Sequence, residues 1–156
     1  MKCKIAIIML LLAAASANAR TQDDFGVGVI IGEPTGLSLK YWLDEDYAID
    51  GAVAWSYSEN DSLQLHGDYV FHNYDLLEAD ELPVYYGIGA RLKFKDDDGR
   101  GRNEDHAMFG IRFPLGITYL FDNEPLDLFF EVVPVLDLSP DVELDLNAAL
   151  GLRLYF

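Results

Sequence analysis

The chain has 156 residues, 51% of them hydrophobic, and 27 acids against 11 bases give it a net charge of −16. That length suits one domain. The charge excludes binding to nucleic acid through its phosphates, and the apolar share excludes a disordered acidic chain.

Lys2 and Lys4, the uncharged apolar run over residues 5–15 and the small-x-small triplet Ala17-Asn18-Ala19 have the three-part layout of a cleaved secretory signal peptide. The run is too short to cross a bilayer as a helix, which takes about 20 residues. The expected organisation is a signal peptide over 1–19 and one mature domain over 20–156. Cleavage removes the single cysteine, Cys3, so no disulfide, thiol nucleophile or thiolate metal site is expected. It also removes Lys2 and Lys4, which makes the mature charge −18.

Downstream, no apolar run is long enough for a membrane helix. Alternation with period two recurs instead and predicts eight strands, over 25–32, 36–43, 47–57, 62–74, 83–95, 107–121, 126–138 and 142–156. The links are rich in Asp, Asn, Pro, Ser and Gly, the residues of tight turns. Links this short make successive strands antiparallel neighbours, because a parallel crossover needs about a dozen residues.

The two parities differ in kind. In 62–74, Leu63, Leu65, Tyr69 and Phe71 oppose Gln64, His66, Asp68 and His72. In 142–156, Leu144, Leu146, Leu150 and Leu152 oppose Asp145, Asn147, Gly151 and Arg153. Eight strands enclose an interior just wide enough for modest side chains, so the bulky apolar face must point outward. Only a hydrocarbon solvent favours that arrangement, and in hydrocarbon the sheet must close so that no edge is left unpaired. The expected fold is therefore all-β: an eight-stranded antiparallel up-and-down transmembrane β-barrel in the bacterial outer membrane, exported through the periplasm. Aromatic girdles are expected at two levels, with Tyr41, Tyr47, Phe71, Tyr86, Tyr119, Phe121 and Phe156 at the periplasmic rim and Trp55, Tyr57, Phe94 and Phe109 at the outer rim.

The signal, the eight strands and the final Leu154-Tyr155-Phe156 resemble the small barrels of the OmpA/OmpX-like superfamily. Closer still, Gly32-Glu33-Pro34-Thr35-Gly36-Leu37, Tyr86-Gly87-Ile88-Gly89-Ala90-Arg91 and Glu131-Val132-Val133-Pro134 resemble a family of uncharacterised Gram-negative barrels. The resemblance implies a fold and a location and lends no activity or functional residues. It also implies that the C-terminal strand ending in Phe156 is read by the outer-membrane assembly machinery.

Charges on the inward parity are the candidate site. The bases are Lys40, Arg91, Lys93, Arg112 and Arg153, and the acids are Asp50, Asp68, Asp127, Glu131, Asp137, Glu143 and Asp145. Isolated charges in a narrow lumen are costly. A structural network of Lys40, Asp50, His66, Asp68, Arg91, Lys93, Arg112, Glu131, Asp145 and Arg153 is therefore expected to plug the barrel; the alternative is a narrow path for ions or small solutes. His66 and His72 lie about 20 Å apart along one strand and cannot share a metal. His66 and Asp68 form a possible pair, but no nucleophile motif accompanies them, so no catalytic residue, metal or cofactor is expected; a lipid-modifying enzyme is the second alternative. In the longest loop, Arg100 and Arg102 are candidates for contact with lipopolysaccharide phosphates, and outer-membrane lipids are the expected surroundings. Pro114 and Pro134 each remove a ladder donor and predict a shared bulge.

Overall fold

The computed structural model describes residues 24–56, 62–95 and 106–156. The expected signal peptide, Tyr57 and the loop arginines Arg100 and Arg102 lie outside the described residues.

The described residues form nine strands: β1 (Phe25–Gly32), β2 (Thr35–Trp42), β3 (Tyr47–Ser56), β4 (Ser62–Asn73), β5 (Val84–Lys95), β6 (His106–Arg112), β7 (Leu115–Leu120), β8 (Leu126–Ser139) and β9 (Glu143–Tyr155). All pairings are antiparallel, and they close a ring. β1 pairs with both β2 and β9, while β5 and β8 each meet both β6 and β7.

Eight strands were expected and nine are present, because the segment over 107–121 is cut at Phe113-Pro114 into β6 and β7. Both pieces run in one lane of the ring. Gly89 opposes Arg112 and Tyr86 opposes Leu115, so the register towards β5 is unbroken across the proline. Pro114 still accepts from the Gly87 N–H, and Pro134 from the Phe113 N–H. Each proline keeps its acceptor and forfeits only its donor, which costs one ladder bond and no register. The expected shared bulge at Pro114 and Pro134 is therefore wrong. The irregularity sits between Phe109 and Gly110, which pair with Ser139 and Asp137 and leave Leu138 over.

The β1–β2 connection is tight. Gly32 has φ +133°, a conformation open to glycine. The Thr35 hydroxyl accepts from the Gly32 N–H at 3.1 Å and donates to its carbonyl at 2.9 Å.

Cross-strand partners lead from Leu43 through Tyr47, Phe71, Tyr86, Leu115, Val132 and Ala148 back to the same hairpin at Glu33, ten residues from the start. With ordinary strand rise and spacing, that stagger corresponds to strands tilted by about 40° around a ring of about 8 Å backbone radius. Such a ring has room for one layer of inward side chains.

Burial is inverted relative to a water-soluble protein. Outward positions are apolar and exposed on every lane, among them Val29, Ile49, Ile88, Leu115, Phe130 and Leu150. Inward positions are small or charged: Ala48, Ala52 and Ala149 are buried beside Lys40, Arg112 and Arg153. On the outer surface Tyr47, Phe71 and Tyr86 form a ladder with ring separations of 5.1 and 5.5 Å, and Tyr119 packs on Phe121 at 4.8 Å.

Candidate functional site: an ion-paired interior

The inward parity of each strand aims its charges at the ring axis, where three clusters form. In the first, Arg91 from β5 donates through Nε to Asp137 Oδ1 at 3.0 Å, with a closer contact from Nη2 to Asp137 Oδ2. The same Nη2 lies 3.1 Å from Asp145 Oδ2. With its amide oriented to suit its neighbours, Asn147 bridges Asp145 and Arg91 at 3.2 and 3.1 Å.

The second cluster centres on Arg112, which is fully buried. Its Nε donates to both oxygens of Asp68, at 2.9 and 3.1 Å. Its Nη2 stands 3.6 Å from Glu131 Oε1, beyond hydrogen-bond range, so among the described residues Nη1 and Nη2 make no hydrogen bond. Glu131 Oε2 accepts from the Tyr85 hydroxyl at 2.9 Å.

In the third, Arg153 grips Asp127 through Nε at 3.0 and 3.1 Å and through Nη2 at 2.9 Å. Its Nη1 lies 3.3 Å from Asp50, and its guanidinium covers the Phe129 ring at 4.0 Å. The Tyr155 hydroxyl completes Asp127 at 2.5 Å. Lys40 joins through Asp50 at 3.8 Å, meets His72 Nε2 at 2.7 Å, and stands 4.4 Å above the Trp42 ring.

Glycines make these bridges possible. Gly89 lies between Asp68 and Arg112 in the cross-strand row, Gly110 between Arg91 and Asp137, and Gly116 between Tyr85 and Glu131. A methyl group at Gly89 would fall on the Asp68 carboxylate, one at Gly110 on Asp137, and one at Gly116 on the Tyr85 ring. Each bridge therefore spans two lanes because the lane between carries no side chain.

The interior thus brings together Lys40, Asp50, Asp68, Arg91, Arg112, Glu131, Asp145 and Arg153 from the expected set. Lys93 is half-buried in register with Gln64 and Met108. His66 is half-buried, with Nδ1 3.5 Å from Gln64, and Asp68 turns to Arg112 instead of pairing with it. Glu143, assigned inward by parity, is exposed at the start of β9, where the parity no longer faces the enclosed lumen. The expected network omitted His72, which the sequence placed on the inward parity and weighed only as a metal ligand, and the sequence reading left out Trp42, Phe129 and the hydroxyls of Tyr85 and Tyr155. Tyr85 shares parity with Arg91, Tyr155 with Arg153 and Phe129 with Glu131, so the signal was present but was read only for charge.

At the rim where the chain enters β1, the Tyr74 hydroxyl donates to the Glu45 carbonyl at 3.0 Å. Burial, and then the charges of Asp46 and Glu45, push this phenol from its ordinary value up to about 12.

The profile of the family described as "Protein of unknown function (DUF3996)" matches residues 16–145. No curated protein matches the sequence. Among solved structures, the fold is similar to the N-terminal β-barrel domain of Pseudomonas aeruginosa OprF, with a TM-score of 0.67 over 85% of this chain and 95% of that one, at 14% identity. At that identity the likeness is one of fold.

Proposed function

This chain belongs to the family described as "Protein of unknown function (DUF3996)", and from its architecture we propose that it is a small outer-membrane β-barrel. Its role on this reading is non-enzymatic, structural or surface-interacting, and its lumen is plugged by the charged network. One observation carries the reading: a closed antiparallel ring with apolar side chains exposed outward and ion pairs buried inward. In water an apolar belt on every lane is strongly unfavourable. In hydrocarbon it is favourable, and closure satisfies the backbone groups that an open sheet would strand. The Tyr47–Phe71–Tyr86 ladder suits a membrane interface.

The three clusters support the plug, since a ring of this width is filled by side chains. Nη1 and Nη2 of Arg112 and Oδ1 of Asp50, ion-paired in part but without a hydrogen bond among the described residues, favour the second reading, a narrow hydrated path, because such atoms are suited to water. The cleaved signal over 1–19, assembly through the strand ending in Phe156, and contact of Arg100 and Arg102 with lipopolysaccharide belong to the same proposal.

Refolding and planar-bilayer recording test it. The mature chain is expected to aggregate in water, to fold with strand-dominated circular dichroism in detergent, and to show negligible steady conductance. A water-soluble monomer without detergent overturns the membrane reading. A stable open conductance, reselected when Arg112 or Glu131 is changed, gives the channel first place.

A further inference from the structure

The rim at which the chain enters β1 opens into a cavity of about 540 Å³. Its lining is aromatic and aliphatic, with Trp42, Tyr74 and Tyr155 beside Leu43 and Leu126 and the outer-surface Phe121 at its edge. The acids Asp24, Asp44, Glu45 and Glu124 stand around it, and among the described residues no lysine or arginine lines it, the Lys40 ammonium lying behind the Trp42 ring at 4.4 Å. The Asp44 carboxylate is occupied by the backbone N–H groups of Asp46 and Tyr47. Beyond the cavity the same rim stays of one sign. Counted with Asp24, the turns 43–46, 74–83 and 121–125 hold ten acids and no base. Leu76 and Leu77 project beside them, 60% and 46% exposed.

We propose that this mouth is a docking site for a basic, extended peptide segment of a partner protein, seating apolar side chains on the aromatic lining and lysine or arginine side chains on the rim. Charge complementarity selects the occupant. A second copy would bring another wholly acidic rim against this one. A small organic cation needs one or two carboxylates, whereas this rim spreads ten around the opening, and a cavity of this size accepts several residues of chain. Ammonium and guanidinium groups also bind aromatic faces, and that attraction strengthens where water is excluded. Facing the periplasm is the part that rests on the proposed membrane function; the docking chemistry does not depend on it.

The two tryptophans provide the assay, because Trp42 lines the cavity and Trp55 lies near the opposite rim. The protein, purified in detergent with Trp55→Phe, is titrated with a capped pentapeptide of alternating lysine and leucine while Trp42 emission is followed. A saturable change is expected, weakened roughly tenfold or more between about 20 and 500 mM salt, as for exposed charge pairs. Glu45→Gln and Glu124→Gln should each weaken it about 3–10-fold, a range typical of partly screened charge contacts. A second variant that keeps Trp55 and carries Trp42→Phe should report nothing through Trp55.

No saturable change, or indifference to both glutamine variants, overturns the proposal. So does equal affinity for tetramethylammonium chloride, which would assign the mouth to small cations. So does a Trp42 emission unmoved by peptide but shifted by Arg20→Glu, which would assign the cavity to the chain's own N-terminal segment. A protein that fails to fold in detergent refutes the membrane reading, whereas one that folds and binds nothing refutes the docking site alone.

Discussion

Replacing Arg112 by alanine removes, among the described residues, the only base that hydrogen-bonds Asp68 and the only one ion-paired with Glu131. Both acids are buried, with 3% and 5% of their surface accessible. Breaking a buried pair by deleting one partner costs about 3–5 kcal/mol, because the other charge is left without compensation. Arg112→Ala is expected to fall in that range, whereas Glu143→Ala, at an exposed strand end, stays within about 0.5 kcal/mol. The cause is separable by a double-mutant cycle. Asp68→Ala alone should also destabilise, and the double variant should lose less than the two losses together, with a coupling of up to about 3 kcal/mol. Equilibrium urea unfolding in phospholipid vesicles, read by tryptophan emission and by heat-modifiable gel mobility, gives the free energies. If Arg112→Ala costs under about 1 kcal/mol and the coupling is nil, the pair is hydrated and the dry-plug reasoning is refuted.

Leu150 faces outward from β9, and Leu150→Arg should cost about 2–4 kcal/mol in vesicle unfolding if it sits near the bilayer midplane; an unchanged midpoint would show that this face does not meet lipid. Gly116→Val should cost about 1–3 kcal/mol by overpacking against Tyr85, and Tyr85→Ala in the same chain should restore part of the loss; an additive loss would rule out the steric account. Tyr74, whose phenol is raised to about 12, favours the protonated form on folding. Its contribution is present below about pH 10 and fades as pH rises through about 12, so Tyr74→Phe should flatten the alkaline loss of stability expected of the parent. Equal alkaline slopes would refute that assignment.

The period of two determined much by itself. β1 begins and ends where the alternation placed it, and the other strand limits agree within a residue or two, because turn residues punctuate locally. Parity also separated inward from outward along most of each strand, since successive side chains must point to opposite faces. It sent Arg91, Arg112 and Arg153 to one side and Leu115 and Leu150 to the other without any knowledge of neighbours.

Partners were another matter. That Arg112 reaches Asp68 across Gly89, or that Arg91 reaches Asp137 across Gly110, depends on registers between strands far apart in sequence. Those registers are set by turn geometry, by the bulge at Phe109/Gly110 and by the ten-residue stagger that closes the ring. Neither the bulge nor the stagger has a local signature. Pro114 shows the same division. The missing N–H was legible as a break in pairing, but the ring already held both flanking strands in register, so the chain lost one bond and kept its lane. Local chemistry chooses conformation and facing one residue at a time, whereas the identity of an ion pair is a property of closure, which exists only once all lanes have met.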